Sequence, residues 1–525
     1  MSLNLKDNSL LQSKKAGVLL PLFSMRSAGD WGCGDMASFK EWIEYLSGYG
    51  VKILQILPIH ETEPGQNCPY SALSAYAIDP IYISIKDVSD AAASEEAQSL
   101  INQYKDELNF WRGEKKVYYK FIKSAKYKVL WAAYEHFLKN EKEASTARYE
   151  QFLDFHQKHA SWLVPYCIFR SAKDNLGWTS WKHWEKKLKE LDLPFLREYS
   201  VNNYKQIMFF SYLQWQLQLQ LASVRRTAAE CGVLIFGDIP FGVNFDSADV
   251  WSNQSKYLEG YEIGAPKDQF SEGGQKWGLP AYNWPAIEQN NFNLWRSKIA
   301  RACEIYDIFR LDHLVGFFRT WIFGPGDEVG RFDIEDESAQ KKRGEAFLTA
   351  VCEAAAGKLP IGEDLGVIPD FVRAYMKEIS MPGYKVIRWE KDNEVFREPR
   401  NYPLASLATT ATHDTETLRE WWDIMPDWQR ANVWEMISAV KTDGKVPFTD
   451  EVHRAIFKRV MGAGSCFVIF PIQDIIGEKE RINTPGTVGE ENWSYRVPFE
   501  TAEFNSAYLE KMRMFKELAA ESGRL

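Results

Sequence analysis

The stretch Ile308-Phe309-Arg310-Leu311-Asp312-His313 is an apolar run that ends in charge. Two other runs end the same way, Leu359-Pro360-Ile361-Gly362-Glu363-Asp364 and Ala408-Thr409-Thr410-Ala411-Thr412-His413-Asp414-Thr415. A strand buried on both faces reads as a short, nearly continuous apolar segment. In a (β/α)8 barrel the C-terminal exits of such strands carry the active site. Asp312, Glu363 and Asp414 therefore stand where catalytic carboxylates belong. An arginine two residues before Asp312 shares its strand face. That grouping fits glycosidic-bond chemistry, which uses paired carboxyl groups.

Working outward, eight runs have strand character: 17–21, 51–58, 233–240, 305–312, 358–363, 384–389, 404–412 and 465–471. Helical patterns with charged faces lie between them, at 35–49, 214–231, 294–304, 344–356, 368–378 and 417–422, and a last one runs over 501–525. This βαβα alternation is the signature of a parallel sheet. The fold class read from it is α/β, a single (β/α)8 TIM barrel over 1–525. Two insertions interrupt the barrel. Residues 87–204 are rich in Lys, Glu and Trp and read as a helical subdomain. Residues 251–290 carry Gly264, Gly273, Gly274 and Gly278 and read as an ordered loop over the active face.

The bulk numbers narrow the function. The chain has 525 residues, 26% charged and 45% hydrophobic, with a net charge of −9. A nucleic-acid binder would show a basic patch with interleaved aromatics, and none is present. The lysines from Lys123 to Lys128 and from Lys139 to Lys142 read as solvated helix faces. Seven scattered cysteines with no CxxC pair suit a reducing compartment. The start of the chain has no basic segment followed by an apolar core, so the expected location is cytoplasmic, with no membrane partner. No HExxH, Walker loop, GxSxG elbow or Cys/His ligand spacing occurs, so the reading calls for no metal and no cofactor. Aromatics in loop-like sequence, such as Trp277-Gly278-Leu279-Pro280-Ala281-Tyr282-Asn283-Trp284, suit a flat ligand with polar edges such as a sugar ring.

Each motif also has a plain structural reading. Arg310 and Asp312 could form an ion pair that only holds the strand. Glu363 could cap a helix, and Asp414 could cap the helix that begins near Glu416. Asp238, in Phe236-Gly237-Asp238-Ile239-Pro240, is a fourth acid at a strand end with the same ambiguity. Asp364 would point away from Glu363 on a strand and reads as structural.

Taken in order, the segments resemble the 4-α-glucanotransferases of glycoside hydrolase family 77, also called amylomaltases or disproportionating enzymes. The resemblance rests on Pro69-Tyr70 through Tyr76-Ala77, Gly237-Asp238-Ile239-Pro240, Asp246 through Trp251, Gly264-Ala265-Pro266 with Phe270-Ser271, and Gly274-Gln275-Lys276-Trp277-Gly278. It continues through Arg310-Leu311-Asp312-His313, Gly362-Glu363-Asp364-Leu365-Gly366, Thr412-His413-Asp414, Gln473-Asp474 and Asn483-Thr484-Pro485-Gly486. The resemblance implies Asp312 as nucleophile, Glu363 as acid/base and Asp414 as transition-state stabiliser. It implies Tyr70, Asp238, Gln275, Trp277, Arg310, His413 and Asn483 as sugar contacts, and maltooligosaccharides and α-glucans as partners. Bacterial amylomaltases tend to have a His-Pro-Thr-Ser stretch after the first strand. Here Leu20 through Ser27, with Gly32-Cys33-Gly34-Asp35, is more similar to the plant cytosolic disproportionating enzyme, without a counterpart to that relative's starch-binding modules. An amylase-type α-glucan hydrolase and a non-catalytic glycan-binding barrel are the rival readings.

Overall fold

The computed structural model describes residues 4–266 and 274–525. Phe270, Ser271 and Gly273 lie outside the described residues. Eight parallel strands form one sheet: β1 (Lys15–Leu19), β2 (Ile53–Gln55), β3 (Leu234–Ile239), β4 (Ile308–Leu311), β5 (Leu359–Gly362), β6 (Gly383–Val386), β7 (Ser406–Thr409) and β8 (Phe467–Pro471). Their spatial order is β6-β7-β8-β1-β2-β3-β4-β5, so every neighbour in sequence is a neighbour in space. The two ends are joined as well. The Gly362 N–H donates to Pro382 O at 2.9 Å, and the Asp364 carboxylate accepts the Tyr384 N–H at 2.7 Å. The barrel is thereby closed, and each expected run supplies one of its strands.

The strands are short and almost wholly buried, which is why no alternation marks them in the sequence. Glycine is required at one of them. A Cβ on Gly237 would stand 2.4 Å from the Tyr306 ring, so this position in β3 admits no side chain. Register then decides which side chains meet. Asp238 on β3 is the partner of Arg310 on β4, which sets both on the same face of the sheet.

Helices fill most of the span between β2 and β3. The longest, Tyr204–Cys231, is stopped by Gly232 in the left-handed conformation. Buried charge ties these helices to the loop after β2. Arg170, on the helix Ala160–Asn175, meets Glu61 Oε1 at 2.9 Å, and Tyr127 donates to the same oxygen at 2.8 Å. Lys123 and Lys126 correct the expectation of a solvated lysine face, since both are buried. Lys123 pairs with Asp79 at 2.6 Å, and Lys126 donates to the carbonyls of Ile81 and Ile83 at 2.6 and 2.7 Å. Their spacing suits an exposed face. The partners that draw them inward lie some 40 residues away in sequence.

The segment expected as a loop over 251–290 is partly β-structure. Strands Tyr257–Ala265 and Gln275–Tyr282 pair antiparallel, and Trp321–Phe323 and Arg331–Phe332 extend them to a four-stranded sheet. Register shifts near Ile263 and Gly264 blur the alternation that would have marked the first strand. The partner strand Trp321–Phe323 is distant in sequence.

The closure bond makes a prediction. Asp364→Ala leaves the Tyr384 N–H without its acceptor, a loss of about 1–3 kcal/mol. The variant is expected to melt below the parent. A thermal unfolding midpoint equal to the parent's would contradict this account of closure.

Candidate active site

Asp238, Arg310, Asp312, Glu363, His413 and Asp414 meet at the C-terminal ends of β3, β4, β5 and β7. One guanidinium organises the group. Arg310 donates from Nη1 to Asp238 at 2.9 and 3.1 Å, and its Nη2 lies 2.8 Å from Asp312 Oδ1 and 3.9 Å from Glu363 Oε2. The sum of the last two distances, about 6.7 Å, is an upper bound on the separation of those carboxyl oxygens. Retaining glycosidases hold their carboxyl groups about 5–5.5 Å apart and inverting ones about 6.5–9.5 Å, and an oxygen pair within this bound is compatible with the retaining spacing.

The backbone holds the carboxylates from the other side. The Phe241 N–H donates to Asp312 Oδ2 at 3.2 Å. Glu363 accepts the N–H groups of His313 and Leu365, at 2.9 and 3.0 Å. The first of these bonds needs His313 in the left-handed conformation, at φ 49°, where the chain turns off β4. No helix begins at Glu363, and Thr417 caps the helix Leu418–Ile424, so the capping readings of Glu363 and Asp414 fall away.

A second chain of contacts runs around the rim. Tyr70 donates to Asp238 Oδ2 at 2.7 Å, and its hydroxyl lies 3.0 Å from His413 Nε2. The two rings stack at 5.4 Å. His413 Nε2 is 3.2 Å from Asp414 Oδ2, and Asn483 donates to Asp414 Oδ1 at 2.7 Å.

These surroundings separate the carboxyl groups in acidity. Burial pushes Glu363 up to about 7; Arg310 counters this and the nearby Asp312 charge adds to it. At Asp414 burial works in the same direction but is outweighed by His413, Asn483 and Arg310, which hold it down at about 2. Burial drives His313 down to about 4, so its ring is neutral near pH 7. One carboxyl is thus poised to exchange a proton near neutrality while its neighbour stays ionised.

The group opens into a cavity of about 520 Å³. Tyr70, Trp277, Arg310, Asp312, His313, Glu363, His413, Asp414 and Asn483 line it. Trp277 stands edge-on to His313 at 4.9 Å. Gln275 begins the same strand and lies outside the cavity wall. Gln55, Cys68, Tyr384, Trp389 and Trp493 also line the cavity and were not singled out from sequence. For Gln55 a signal existed, since it is the one polar residue in Ile53 through Leu57. Among the described residues no group of three or more His, Cys, Asp or Glu is placed to hold a metal ion.

A family profile described as 4-alpha-glucanotransferase matches residues 20–501. The chain belongs to the 4-alpha-glucanotransferase family. The 4-alpha-glucanotransferase of Chlamydia muridarum is 30% identical over 507 residues, which cover 93% of this chain and 92% of that one. The chloroplastic/amyloplastic 4-alpha-glucanotransferase of Solanum tuberosum is 30% identical over 535 residues, covering 98% and 87%. In fold the chain is similar to the amylomaltase of Streptococcus agalactiae solved with acarbose, with a TM-score of 0.83 at 24% identity over 97% of this chain and 99% of that one. The β-barrel with its parallel strands is therefore the family's fold.

A prediction follows from the charge balance. Glu363 is expected to titrate near pH 7 in the free protein. Asp312→Asn removes a charge that raises this pKa, so the titration is expected to move to lower pH. Isotope-edited infrared or carboxyl-carbon NMR titration reads both. An upward move, or no glutamate titrating between about pH 5 and 8, would contradict this electrostatic account.

Proposed function

We propose that this 4-alpha-glucanotransferase moves α-1,4-glucan segments by a retaining double displacement, with Asp312 as nucleophile and Glu363 as acid and base. The observation that carries the reading is the shared guanidinium. It keeps Asp312 beside Glu363 within reach of the spacing of a retaining pair. Asp312 attacks the anomeric carbon of a donor maltooligosaccharide. The bond to the leaving 4-oxygen breaks as Glu363 passes its proton to that oxygen. A β-glucosyl ester remains on Asp312. The 4-hydroxyl of an acceptor sugar then gives its proton to Glu363 and displaces Asp312, restoring the α-linkage.

Asp414 stays ionised throughout. With Asn483 and His413 around it, it is suited to hold hydroxyls of the distorted ring and to favour an oxocarbenium-like transition state. Tyr70, Asp238 and Arg310 fix the floor of that subsite. Trp277 offers a ring face to the sugar, and Gln275 is assigned to sugar held beyond the cavity wall. A passive glycan-binding barrel has no need of a carboxyl tuned to about 7 beside one held at about 2. Transfer prevails over hydrolysis where the aromatic walls formed by Tyr70, Trp277, Trp389 and Trp493 keep water from the ester.

Incubation with maltotriose tests this directly. The parent is expected to yield glucose and longer maltooligosaccharides, with little net gain in reducing ends. Asp312→Asn is expected to lose at least about a thousandfold in turnover, roughly 4 kcal/mol of transition-state stabilisation, while remaining folded. Near-parental turnover in that variant would overturn the nucleophile assignment.

Trp277→Ala is expected to weaken sugar binding by about 1–3 kcal/mol and to raise the hydrolysed fraction of product. If Trp277 only packs its strand against His313, the variant would melt lower with an unchanged ratio of transfer to hydrolysis. Product sizing beside a melting curve separates the two.

A further inference from the structure

Outside the barrel mouth lies a second cleft of about 370 Å³. Its walls come from residues that the chemistry above does not use, Ser74 and Tyr76 after β2 and Asp249 on the helix Ala248–Ser252, faced by the helices Ala160–Asn175 and Asn293–Ile305. The volume is at the low end of the about 300–1,000 Å³ usual for small-ligand sites, enough for a ligand of one or two rings.

The lining has a mixed and consistent chemistry. Tyr76 and Trp162 form an aromatic pair, parallel to within 9° at 6.0 Å between centroids. The Tyr76 hydroxyl is within 3.0 Å of the Ser297 hydroxyl. Ser161, Asn293 and Ser297 are exposed at the rim, so hydroxyl and carboxamide groups surround an aromatic wall. At the inner end Asp249 is buried; its Oδ2 accepts the Ala75 N–H at 3.0 Å. Its Oδ1 has no hydrogen-bond donor in good geometry, although the buried Lys298 ammonium offsets its charge and the Ser74 hydroxyl stands beside the carboxyl. A buried carboxylate oxygen of this kind is costly unless a donor reaches it. The cleft suits no anion. Among the described residues Lys256 is the one cation on its wall, and that ammonium is already engaged with the Ala286 carbonyl at 2.8 Å; behind the wall, Lys298 offsets the charge of Asp249 and Arg301 covers one face of Trp162 at 5.1 Å.

We infer that this cleft is a second carbohydrate site, which takes one or two neutral glucosyl units apart from the barrel mouth. An aromatic wall meets the C–H face of a pyranose, while carboxamides, hydroxyls and one carboxylate take its hydroxyl edge. The choice of an α-glucosyl ligand rests on the proposed function, because glucan is then the polyhydroxylated molecule the protein meets. The site is joined to the catalytic group through the chain itself. Ser71 bonds Asn244 at 3.0 Å, and the Ala248 N–H donates to Leu73 O at 2.8 Å, so the segment from Tyr70 to Tyr76 forms a wall of both sites.

Maltotriose binding to full-length Asp312→Asn protein, which holds the ligand without turning it over, tests the assignment. Calorimetric stoichiometry and a maltotriose-soaked crystal are the readouts. Two sites are expected, one in the barrel mouth and one against Tyr76 and Trp162. Adding Ser161→Trp, which fills the cleft from an exposed position, is expected to remove the second site and keep the first. The same substitution in the otherwise unaltered enzyme is expected to leave turnover of maltotriose within about twofold. Binding confined to the barrel mouth would overturn the inference. So would a cleft that takes inorganic phosphate but not maltotriose, or a second site untouched by Ser161→Trp. Loss of binding in the barrel mouth alone would count against the proposed function and leave the cleft standing.

Discussion

The candidate catalytic group is organised around Arg310. Its guanidinium is buried with Asp238 and reaches Asp312 and the edge of Glu363 from the same fork. Bringing such charges out of water is costly, and the cost is offset only when the geometry satisfies them. Here Asp238 takes two bonds from one nitrogen while the second nitrogen lies between Asp312 and Glu363. Burial alone would lower the charge on Arg310, yet Asp238 and Asp312 hold it firmly protonated. The arginine therefore does two jobs. It orients Asp312, and it limits how far burial can raise Glu363. A lysine could not do both, because it lacks the planar fork that spans the carboxylates.

The barrel explains why this arrangement is possible. Parallel strands deliver their ends to one face, so side chains far apart in sequence converge there without long loops. Asp238 and Arg310 are 72 residues apart and meet only through the register of β3 against β4. The loops add the remainder. Asn483 comes from beyond β8, and Tyr70 from the segment that Glu61 and Asp79 bind to the inserted helices. The insertion thus supports the rim of the site mechanically, through buried ion pairs that would be expensive to break singly.

Much of this was legible from sequence because buried parallel strands write themselves as short apolar runs, and all eight were found that way. The carboxylates were legible for the same reason, as charge placed where such a run stops. What escaped was the product of distant contact. The antiparallel strands near Trp277 depend on a partner at Trp321–Phe323, and a register shift hides their alternation. Lys123 and Lys126 read as surface residues because nothing local announces Asp79 or the carbonyls of Ile81 and Ile83. Trp389 ends the run read as strand over 384–389 but lies in the turn after β6, and Trp493 lines the cavity from a loop with no periodicity to interpret. Gln55 was open to reading, as a lone amide in an apolar strand facing Tyr384 at 3.4 Å.

The central claim is that Asp312 carries the sugar between donor and acceptor. The most direct measurement treats the Glu363→Gln variant with an α-maltosyl fluoride, whose leaving group needs no acid, and maps the modified peptide by mass spectrometry. With the base gone, the ester should persist. The account predicts one maltosyl adduct, on the peptide that contains Arg310-Leu311-Asp312-His313, at Asp312. An adduct on Asp238 or Asp414, or fluoride release with inverted product and no adduct, would contradict it.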